Sequence, residues 1–440
     1  MRKVGLLFAC VMLACFASLS SARRGGAGVP SSPRAKEMGE NLLEVGFGAA
    51  DITPKLDPKK PVYIAGFGHN RRATGVHDPL MARAIVLRHQ KTKIALVSVD
   101  LVGYFHPEVV AVRKKLPGYL HVLVSSTHNH EGPDTLGLWG KTALQSGIDP
   151  DYLALVRGKI VEAVQQAEKG LKPATAVIGT ARAPELLHDS REPQVKHDEL
   201  VALKFLPVEG KKPLGIVVQW NNHPETLADK NTELSADFVG VTVKRLEDRH
   251  GCPVVYFTGT VGGLMTTLRV PVKDSKGNLL RDGTWEKTER YGELVADLAD
   301  RALKSAKSLK LTPLSAHIRD VYLPLDNPLY KLARQIGVLK RDAYVWANDP
   351  DKAEPLGKDE KGKPLATKTE VGWLRLGELD IAAIPGEIYP ELVLDRVQDP
   401  PDAGADFPNA RIEPAIYKQL PGPHRMLIGL ASDEIGYIIP

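Results

Sequence analysis

The chain has 440 residues, of which 43% are hydrophobic and 25% are charged, as in an ordinary globular protein. The formal net charge of +5 is spread along the sequence, and without a clustered stripe of lysine and arginine we expect no nucleic-acid partner. After the N-terminus no apolar run is long enough to span a bilayer, so we expect no transmembrane segment and leave a peripheral membrane contact open.

The N-terminal residues have the pattern of a cleaved signal peptide. In residues 1–22 a basic start precedes a long apolar run, and small residues follow where signal peptidase cuts. We expect residues 23–41, which are rich in Gly, Pro, Ser and Arg, to form a flexible linker and residues 42–440 to form the folded domain. We therefore expect a secreted or periplasmic protein, and attachment of a lipid to Cys15 stays open as an alternative to a free protein.

Short β-rich runs alternate with helical patterns along the folded domain. The predicted strands cover residues 43–48, 84–88, 93–99, 120–125, 176–180, 200–205, 215–220, 254–258, 314–323 and 374–384. The predicted helices cover residues 106–115, 150–169, 237–248, 288–308 and 388–395. This alternation indicates an α/β protein in which mixed or parallel sheets are flanked by helices. Residues 340–369 lack periodicity, and we expect a long surface excursion there that is a candidate lid over a site.

Four of the predicted strands end in loops of polar residues, glycine and proline. The strand at 120–125 runs into STHNHEGP, that at 215–220 into NNHPE, that at 254–258 into GTVGG and that at 374–384 into PGE. In α/β sheets, ligands bind beyond the carboxyl ends of the strands. We therefore expect these four loops to share one site.

His128 and His130 are spaced His-x-His directly after a predicted strand. In an extended segment residues i and i+2 point the same way, so both imidazoles can face one point. Zinc accepts imidazole nitrogen and carboxylate oxygen, and a catalytic zinc keeps one position open for water. The pattern therefore indicates a metal site. Glu131 would point away from it to the surface. Asp100 is a candidate acceptor that orients a ligand histidine, and a structural role for Asp100 stays open as the alternative.

Several motifs are spread in order along the folded domain. They are GFGAADITP at 46–54, AGFG at 65–68 followed by DPLMARA at 78–84, STHNHEGP at 126–133, SADFVG at 235–240 and PGE at 385–387. Together they resemble the N-terminal catalytic domain of the neutral/alkaline non-lysosomal ceramidase family, whose own histidine motif is Thr-His-Thr-His-Ser-Gly-Pro. The resemblance extends over roughly residues 44–437.

This resemblance implies a ceramidase-like α/β fold and a zinc ion with four protein ligands. On this sequence those ligands fall on His128, His223, Glu387 and Tyr437. His130 would lie beside the metal and bind substrate or the developing oxyanion, and Arg191 would contact substrate. Gly66 and Gly262 fall on glycine-containing turns that the resemblance places at the substrate.

Two departures from the family pattern bear on the mechanism. Met265 stands where the family's Gly-Asp-x-Ser-Pro motif has its nucleophilic serine, and a thioether cannot attack a carbonyl. A hydroxyl of Thr260, Thr266 or Thr267 is an alternative nucleophile in its place. The sequence also ends at Pro440, so we expect no immunoglobulin-like domain of the kind that follows in full ceramidases. We therefore expect zinc-bound water to hydrolyse a linear amide, N-acylsphingosine or a related lipid amide, with His130 assisting.

Other functions stay open. One is a secreted protein that kept the fold and the metal but lost turnover, and another is a zinc hydrolase of a different amide, an ester, or a phosphate or sulfate ester. In an amidohydrolase barrel the His-x-His motif ends the first strand, whereas here at least three predicted strands precede it, so that fold is disfavoured. A metallo-β-lactamase would need His-x-His-x-Asp-His, and this sequence has Glu131 and Gly132 after His130. The sequence does not determine the substrate, the metal used in the cell or the oligomeric state.

Overall fold

A computed structural model describes residues 42–192, 194–263, 265–357, 362–395, 404 and 414–440. These residues fall within one folded unit, Asn41–Pro440, and the predicted signal peptide and linker lie outside them. Among the described helices, none combines the length and the apolar character that crossing a membrane requires.

The strands in chain order are β1 Leu43–Asp51, β2 Gly75–Val76, β3 Met81–His89, β4 Thr92–Val99, β5 His121–Ser126, β6 Lys172–Arg182, β7 His188–Asp189, β8 Glu199–Pro207, β9 Gly215–Trp220, β10 Glu233–Leu234, β11 Val254–Thr258, β12 Met265–Thr266, β13 Lys307–Leu309, β14 Leu314–Leu325, β15 Tyr344–Trp346, β16 Ala353–Pro355, β17 Leu365–Leu376, β18 Leu379–Ala383, β19 Glu387–Ile388, β20 His424–Ile428 and β21 Tyr437–Ile438. The helices are α1 His106–Arg113, α2 Pro150–Lys169, α3 Asp237–His250, α4 Trp285–Lys304, α5 Pro328–Gln335, α6 Pro390–Leu394 and α7 Ile416–Gln419.

The larger sheet is mixed. Its strand order is β11-β9-β8-β6-β1-β3-β4-β5, and β13 pairs with β6. The terminal pairs β4–β5 and β9–β11 are parallel, whereas the pairs between them are antiparallel. Because side chains alternate across a strand, each strand contributes to two cores. In β4, Leu96 faces one core and Val97 the other.

The strands β1, β3, β4 and β5 form the first half of this sheet, and β6, β8, β9 and β11 form the second. The two halves face each other across a shared core. Leu96 of one half and Val217 and Phe257 of the other belong to the same hydrophobic cluster. Helices α1 and α2 cover the outer side of the first half, and α3 and α4 cover that of the second. The domain therefore has four layers, with helices outside and strands inside.

A smaller sheet closes one side of this sandwich. Its order is β16-β15-β17-β18-β20, and β14 pairs with β17. Its residues Leu374, Ile381 and Met426 join the shared core. After β20, the amide of Ser432 donates to the carbonyl of Val124 at 2.6 Å. This hydrogen bond brings the C-terminal segment to the end of β5.

The structure confirms the predicted α/β class with mixed sheets flanked by helices. The bounds of β9, β11 and α2 are those predicted, and α2 begins where Asp149 caps the amide of Asp151. The prediction of one strand at 374–384 was wrong, because Gly377, at a φ of 56°, turns the chain between β17 and β18. Most described residues of 340–357 lie at the surface, as expected for the predicted excursion, but the stretch is not without secondary structure. It contains β15 and β16, strands too short to show periodicity, and its end forms the buried start of β17.

Candidate metal centre

Five of the predicted site residues meet in one place. They come from the segments after β5 and β9 and from the paired strands β19 and β21: His128, His130, His223, Glu387 and Tyr437. The parallel pairing of β19 with β21 sets Glu387 directly opposite Tyr437, although Tyr437 is close to the last residue of the sequence. That these side chains hold zinc stays a prediction.

His128 and His223 present the same nitrogen to the centre of the cluster. Nδ1 of His128 lies 2.7 Å from the carbonyl oxygen of Val102, and Nδ1 of His223 lies 2.6 Å from that of Met265. Because a carbonyl only accepts hydrogen bonds, both rings carry a proton on Nδ1. The two Nε2 atoms approach Oε2 of Glu387 at 3.4 and 3.2 Å.

These distances fit a bound zinc ion. A tetrahedron of ligands ~2.0–2.1 Å from its centre has edges of roughly 3.3–3.4 Å, close to the two nitrogen–oxygen separations. Burial alone would raise the pKa of Glu387, but the imidazoles of His128 and His223 hold it below its usual value. Burial raises the pKa of the Tyr437 phenol, and the negative charge of the neighbouring Glu387 raises it further. A cation at this position would offset that effect.

His130 lies beside this group. Its ring centroid is 4.9 Å from that of His128 and 5.5 Å from that of His223. Burial, together with these two imidazoles, lowers the pKa of His130 well below its usual value. Its Nδ1 faces Oε2 of Glu225 at 3.5 Å. Glu225 was not identified from the sequence, although it follows His223 in one of the four polar loops.

A buried ion pair supports the His130 loop. Oε2 of Glu131 lies 3.4 Å from Nη2 of Arg71 and accepts a hydrogen bond of 2.8 Å from Asn231. Arg71 also donates to the carbonyl of His130. Glu131 is 0% exposed, so its predicted surface position was wrong. The reason is the φ of 66° at His128, which interrupts the extended course on which the alternation argument depended.

Asp100 does not orient a ligand histidine. Its Oδ2 accepts hydrogen bonds from Arg83 at 2.7 Å and from the amide of Met81 at 2.9 Å. The prediction was wrong because main-chain carbonyls take this role for both His128 and His223.

Met265 contributes its main chain to the site and its side chain to the core. Its side chain is buried in the cluster between the second half of the larger sheet and its helices. The hydroxyl of Thr266 donates to Oε1 of Glu225, and that of Thr260 contacts Nδ1 of His197 at 3.1 Å. Among the described residues that line the cavity at the site, none is a threonine. No threonine hydroxyl therefore replaces the family serine there.

A cavity of about 590 Å³ leads to the cluster. His128, His130, Glu387 and Tyr437 form its polar end, and most of its wall is apolar, including Phe105. Helix α5 forms part of the wall, and no described residue of 340–369, the predicted lid, lines the cavity. The sequence did carry signals for α5: Asn327 and Pro328 at its start and apolar residues at 329, 332 and 336.

Gly66, Arg191 and Gly262 lie at different distances from the cavity. Gly66 lines it. Arg191 is not among the described lining residues, and its guanidinium lies 5.7 Å from the ring of Tyr389. Gly262 packs behind the site, where its amide donates to the carbonyl of Ile388 at 3.0 Å. The structure thus brings Gly66 to the cavity and sets Arg191 and Gly262 beside the strand that carries Glu387.

Glu434 also lines the cavity and was not identified from the sequence. Its Oε1 accepts a hydrogen bond of 2.7 Å from the amide of Gly436, while its buried Oε2 has no hydrogen-bond partner. Burial and the nearby carboxylate of Glu387 raise the pKa of Glu434 well above its usual value. The signal that could have identified it is its position three residues before the predicted ligand Tyr437.

A second group of side chains of the types that bind metals has its carboxylates already paired with cationic side chains. It consists of His106, Asp320 and Glu370. Glu370 accepts two hydrogen bonds of 2.6 Å from Arg113, and Asp320 pairs with Lys368 at 2.6 Å. The cluster around His128 is therefore the better candidate for a metal.

Comparisons with known proteins agree with this architecture. The sequence model of the family "neutral/alkaline non-lysosomal ceramidase, N-terminal" matches residues 43–264, half of the chain. A solved structure of a ceramidase complexed with C2 is 17% identical, with a TM-score of 0.66 over 91% of this chain and 70% of that one. The neutral ceramidase from Pseudomonas aeruginosa is 18% identical, with a TM-score of 0.65 over 90% and 69%. No curated protein sequence matches. At these identities the solved structures show the shared fold, and the family match shows that the chain belongs to the neutral/alkaline non-lysosomal ceramidase family.

Proposed function

We propose that the protein is an exported, zinc-dependent hydrolase of a linear lipid amide of the ceramide type. The observation that carries this proposal is the convergence of two imidazole Nε2 atoms on Glu387 at the polar end of an apolar cavity. The family membership supports hydrolysis, and the apolar wall supports a substrate with a hydrocarbon chain.

His128, His223, Glu387 and Tyr437 are the residues that would hold the zinc ion. When bound there, zinc lowers the pKa of a coordinated water towards neutrality and polarises a substrate carbonyl. The main-chain carbonyls of Val102 and Met265 keep the two histidines in the protonation form that leaves Nε2 available. This orientation of His128 and His223 towards Glu387 supports their role as proposed ligands.

The apolar cavity wall supports the proposal of a substrate with a hydrocarbon chain. Each methylene group that leaves water for an apolar wall contributes ~0.8 kcal/mol, so a long acyl or alkyl chain gains several kcal/mol over a short one. The amide would then lie at the polar end, beside His130. Because Met265 points into the core, the serine position supplies no side chain that could attack this amide.

The first test is the zinc content of the mature protein and of three variants. We expect about one zinc per chain in the parent and in His77→Ala, whose ring stacks on Trp285 outside this cluster. His128→Ala and His223→Ala should each lose most of the metal, because each removes one of four ligands. Zinc that persists in both ligand variants, or a parent that takes up no zinc when it is supplied, would contradict the proposal.

A second candidate function is favoured by Met265 itself. A protein of this fold that holds zinc without turnover would also tolerate methionine at the serine position. A screen of amide, ester and phosphate substrates, with and without a chelator, separates the two. Chelator-sensitive release of a fatty acid from a lipid amide supports the hydrolase, whereas a zinc-loaded protein inactive on the whole panel supports the non-catalytic function.

A further inference from the structure

Glu225 and His130 are brought together by main-chain contacts between two loops. The amide of His130 donates to the carbonyl of Pro224 at 3.0 Å, which places the next residue, Glu225, beside the imidazole. Oε2 of Glu225 then lies 3.5 Å from Nδ1 of His130. Both side chains are at least nine-tenths buried. Nδ1 of His130 makes no hydrogen bond within the described residues, and the carboxylate oxygen of Glu225 that it faces lies just beyond ordinary hydrogen-bond length.

Thr266 holds the other oxygen of the same carboxylate. Its hydroxyl donates to Oε1 of Glu225 and accepts a hydrogen bond of 2.9 Å from the amide of Leu268. The single hydroxyl proton is therefore committed to Glu225. Thr266 directly follows Met265, so the segment that departs from the family's serine motif is also the segment that anchors Glu225.

A neutral imidazole carries its proton either on Nδ1 or on Nε2, and this arrangement favours one of these two tautomers. If Nδ1 lacked a proton, its lone pair would face a carboxylate oxygen, and two acceptors would repel each other. With the proton on Nδ1, the N–H points at a charged acceptor 3.5 Å away, and this contact is favourable. We infer that Glu225, anchored by Thr266, is a positioning residue that keeps the proton of His130 on Nδ1 and turns its Nε2 lone pair towards the cavity.

The inference changes the role expected of His130. A neutral ring with its proton on Nδ1 cannot donate from Nε2, so it does not stabilise an oxyanion in this form. Its Nε2 accepts a hydrogen bond from a donor in the cavity, such as an attacking water. The tautomer itself follows from the contacts of Glu225 alone, whereas this role in the reaction rests on the proposed hydrolase function.

The tautomer can be read by NMR without a substrate. In the zinc-loaded mature protein labelled with ¹⁵N-histidine, two-bond ¹H–¹⁵N spectra distinguish a ring protonated on Nδ1 from one protonated on Nε2. The signals of His130 are assigned by their loss in His130→Asn. We expect the Nδ1–H form in the parent.

Glu225→Gln should invert this tautomer. The glutamine oxygen would take the Thr266 hydroxyl proton, and its NH₂ group would then face Nδ1, which must become an acceptor. Thr266→Val should give a mixture of forms, and Thr266→Ser, which restores the hydroxyl, should restore the Nδ1–H form. An unchanged tautomer in Glu225→Gln would overturn the inference.

Zinc content and kinetics separate this inference from the proposed function. Glu225→Gln should keep about one zinc per chain, and a loss of zinc would mean that Glu225 acts on the metal ligands instead. On an amide substrate, kcat of Glu225→Gln should fall by at least about ten-fold with KM changed by no more than about two-fold. A parent without amidase activity would contradict the proposed hydrolase but leave the tautomer result standing. An active enzyme whose kcat is unaffected by Glu225→Gln would overturn the role of Glu225.

Discussion

Gly66 determines how closely the main chain approaches His130. Its φ of 98° lies in the region that favours glycine, and an added Cβ would lie 2.4 Å from Cγ of His130. Such a separation is far below van der Waals contact. A side chain at position 66 must therefore displace the imidazole or the backbone, so the glycine turn and the position of His130 depend on each other.

Under the proposed function, Gly66→Ala should reduce amide hydrolysis by about ten-fold or more, because the imidazole of His130 would be displaced from the position in which it can accept a proton. The zinc content should stay at the parent level, because none of the four proposed ligands lies within the turn. Gly68→Ala is the matched control: its added Cβ would have no neighbour within 4 Å. Equal activity of Gly66→Ala and the parent would show that His130 is not needed where the structure places it.

Among the helices that the structure describes, α5 is the one that lines the cavity with apolar side chains, and none of its own residues is buried. Leu329 is 74% exposed and Leu332 46% exposed, while both line the cavity. Asn327 stabilises the start of the helix by accepting from the amide of Leu329 at 2.9 Å. These leucines are therefore available to a substrate chain rather than to the protein core.

Leu332→Ser should weaken the binding of long-chain amides and spare short-chain ones. Loss of one leucine contact with a buried chain is worth about 1.5 kcal/mol, which corresponds to a roughly ten-fold increase in KM. Gln335→Ser, on the same helix but not among the described lining residues, controls for changes in the helix itself. The measurement is KM for amides of increasing acyl length. A uniform effect on all lengths would contradict a role of α5 in binding the chain.

Across the whole domain, Arg113 joins parts that are distant in sequence. From α1 it donates to the carbonyl of Val122 on β5 at 2.8 Å and to Ser432 in the C-terminal segment at 3.0 Å. It also forms the two hydrogen bonds to Glu370 on β17. The smaller sheet and the C-terminal segment, which carries Tyr437, are thereby attached to the larger sheet.

Glu370→Gln should destabilise the protein in a pH-dependent way. Burial would raise the pKa of Glu370, but hydrogen bonds from Arg113 and His106 hold it well below its usual value. Such a group stabilises the fold above its unfolded pKa of ~4.3 and loses this contribution as the pH falls below it. The variant should therefore be less stable by about 3 kcal/mol at pH 7, and the difference should narrow below about pH 4.

The measurement is the unfolding free energy of parent and variant from pH 3 to pH 8. Asp351→Asn, which removes the exposed partner of Arg319, is the control and should differ little from the parent at any pH. A difference for Glu370→Gln that is independent of pH would mean that the carboxylate charge is not what joins the two sheets.

The elements that could be predicted from the sequence are those with local signals. Helix α2 has Asp149 as its cap and Gly170 at its end, and β9 and β11 are continuous apolar runs followed by polar loops. The folding of the larger sheet onto itself could not be predicted, because it depends on contacts such as that of Leu96 with the cluster that also contains Val217. Three-residue strands such as β15 give no period to detect.

Some residues of the candidate site could likewise be predicted from the sequence, and others could not. The strand ends carrying His128 and His223 were recognisable from composition, and the resemblance pointed to Glu387 and Tyr437. The burial of Glu131 could not be predicted, because it depends on Arg71, which lies far upstream in the sequence. Glu225 was missed for a related reason: its partner His130 lies on another loop, and only the folded chain brings them together.

The main-chain carbonyls of Val102 and Met265 that orient the two histidines have an evolutionary consequence. Every residue has a main-chain carbonyl oxygen, whatever its side chain. The side chain at position 265 can therefore change without removing the hydrogen bond that orients His223. Replacement of this side chain during evolution would therefore leave the orientation of His223 unchanged. The side chain at this position can thus diverge, because main-chain carbonyls orient both of the histidines proposed as metal ligands.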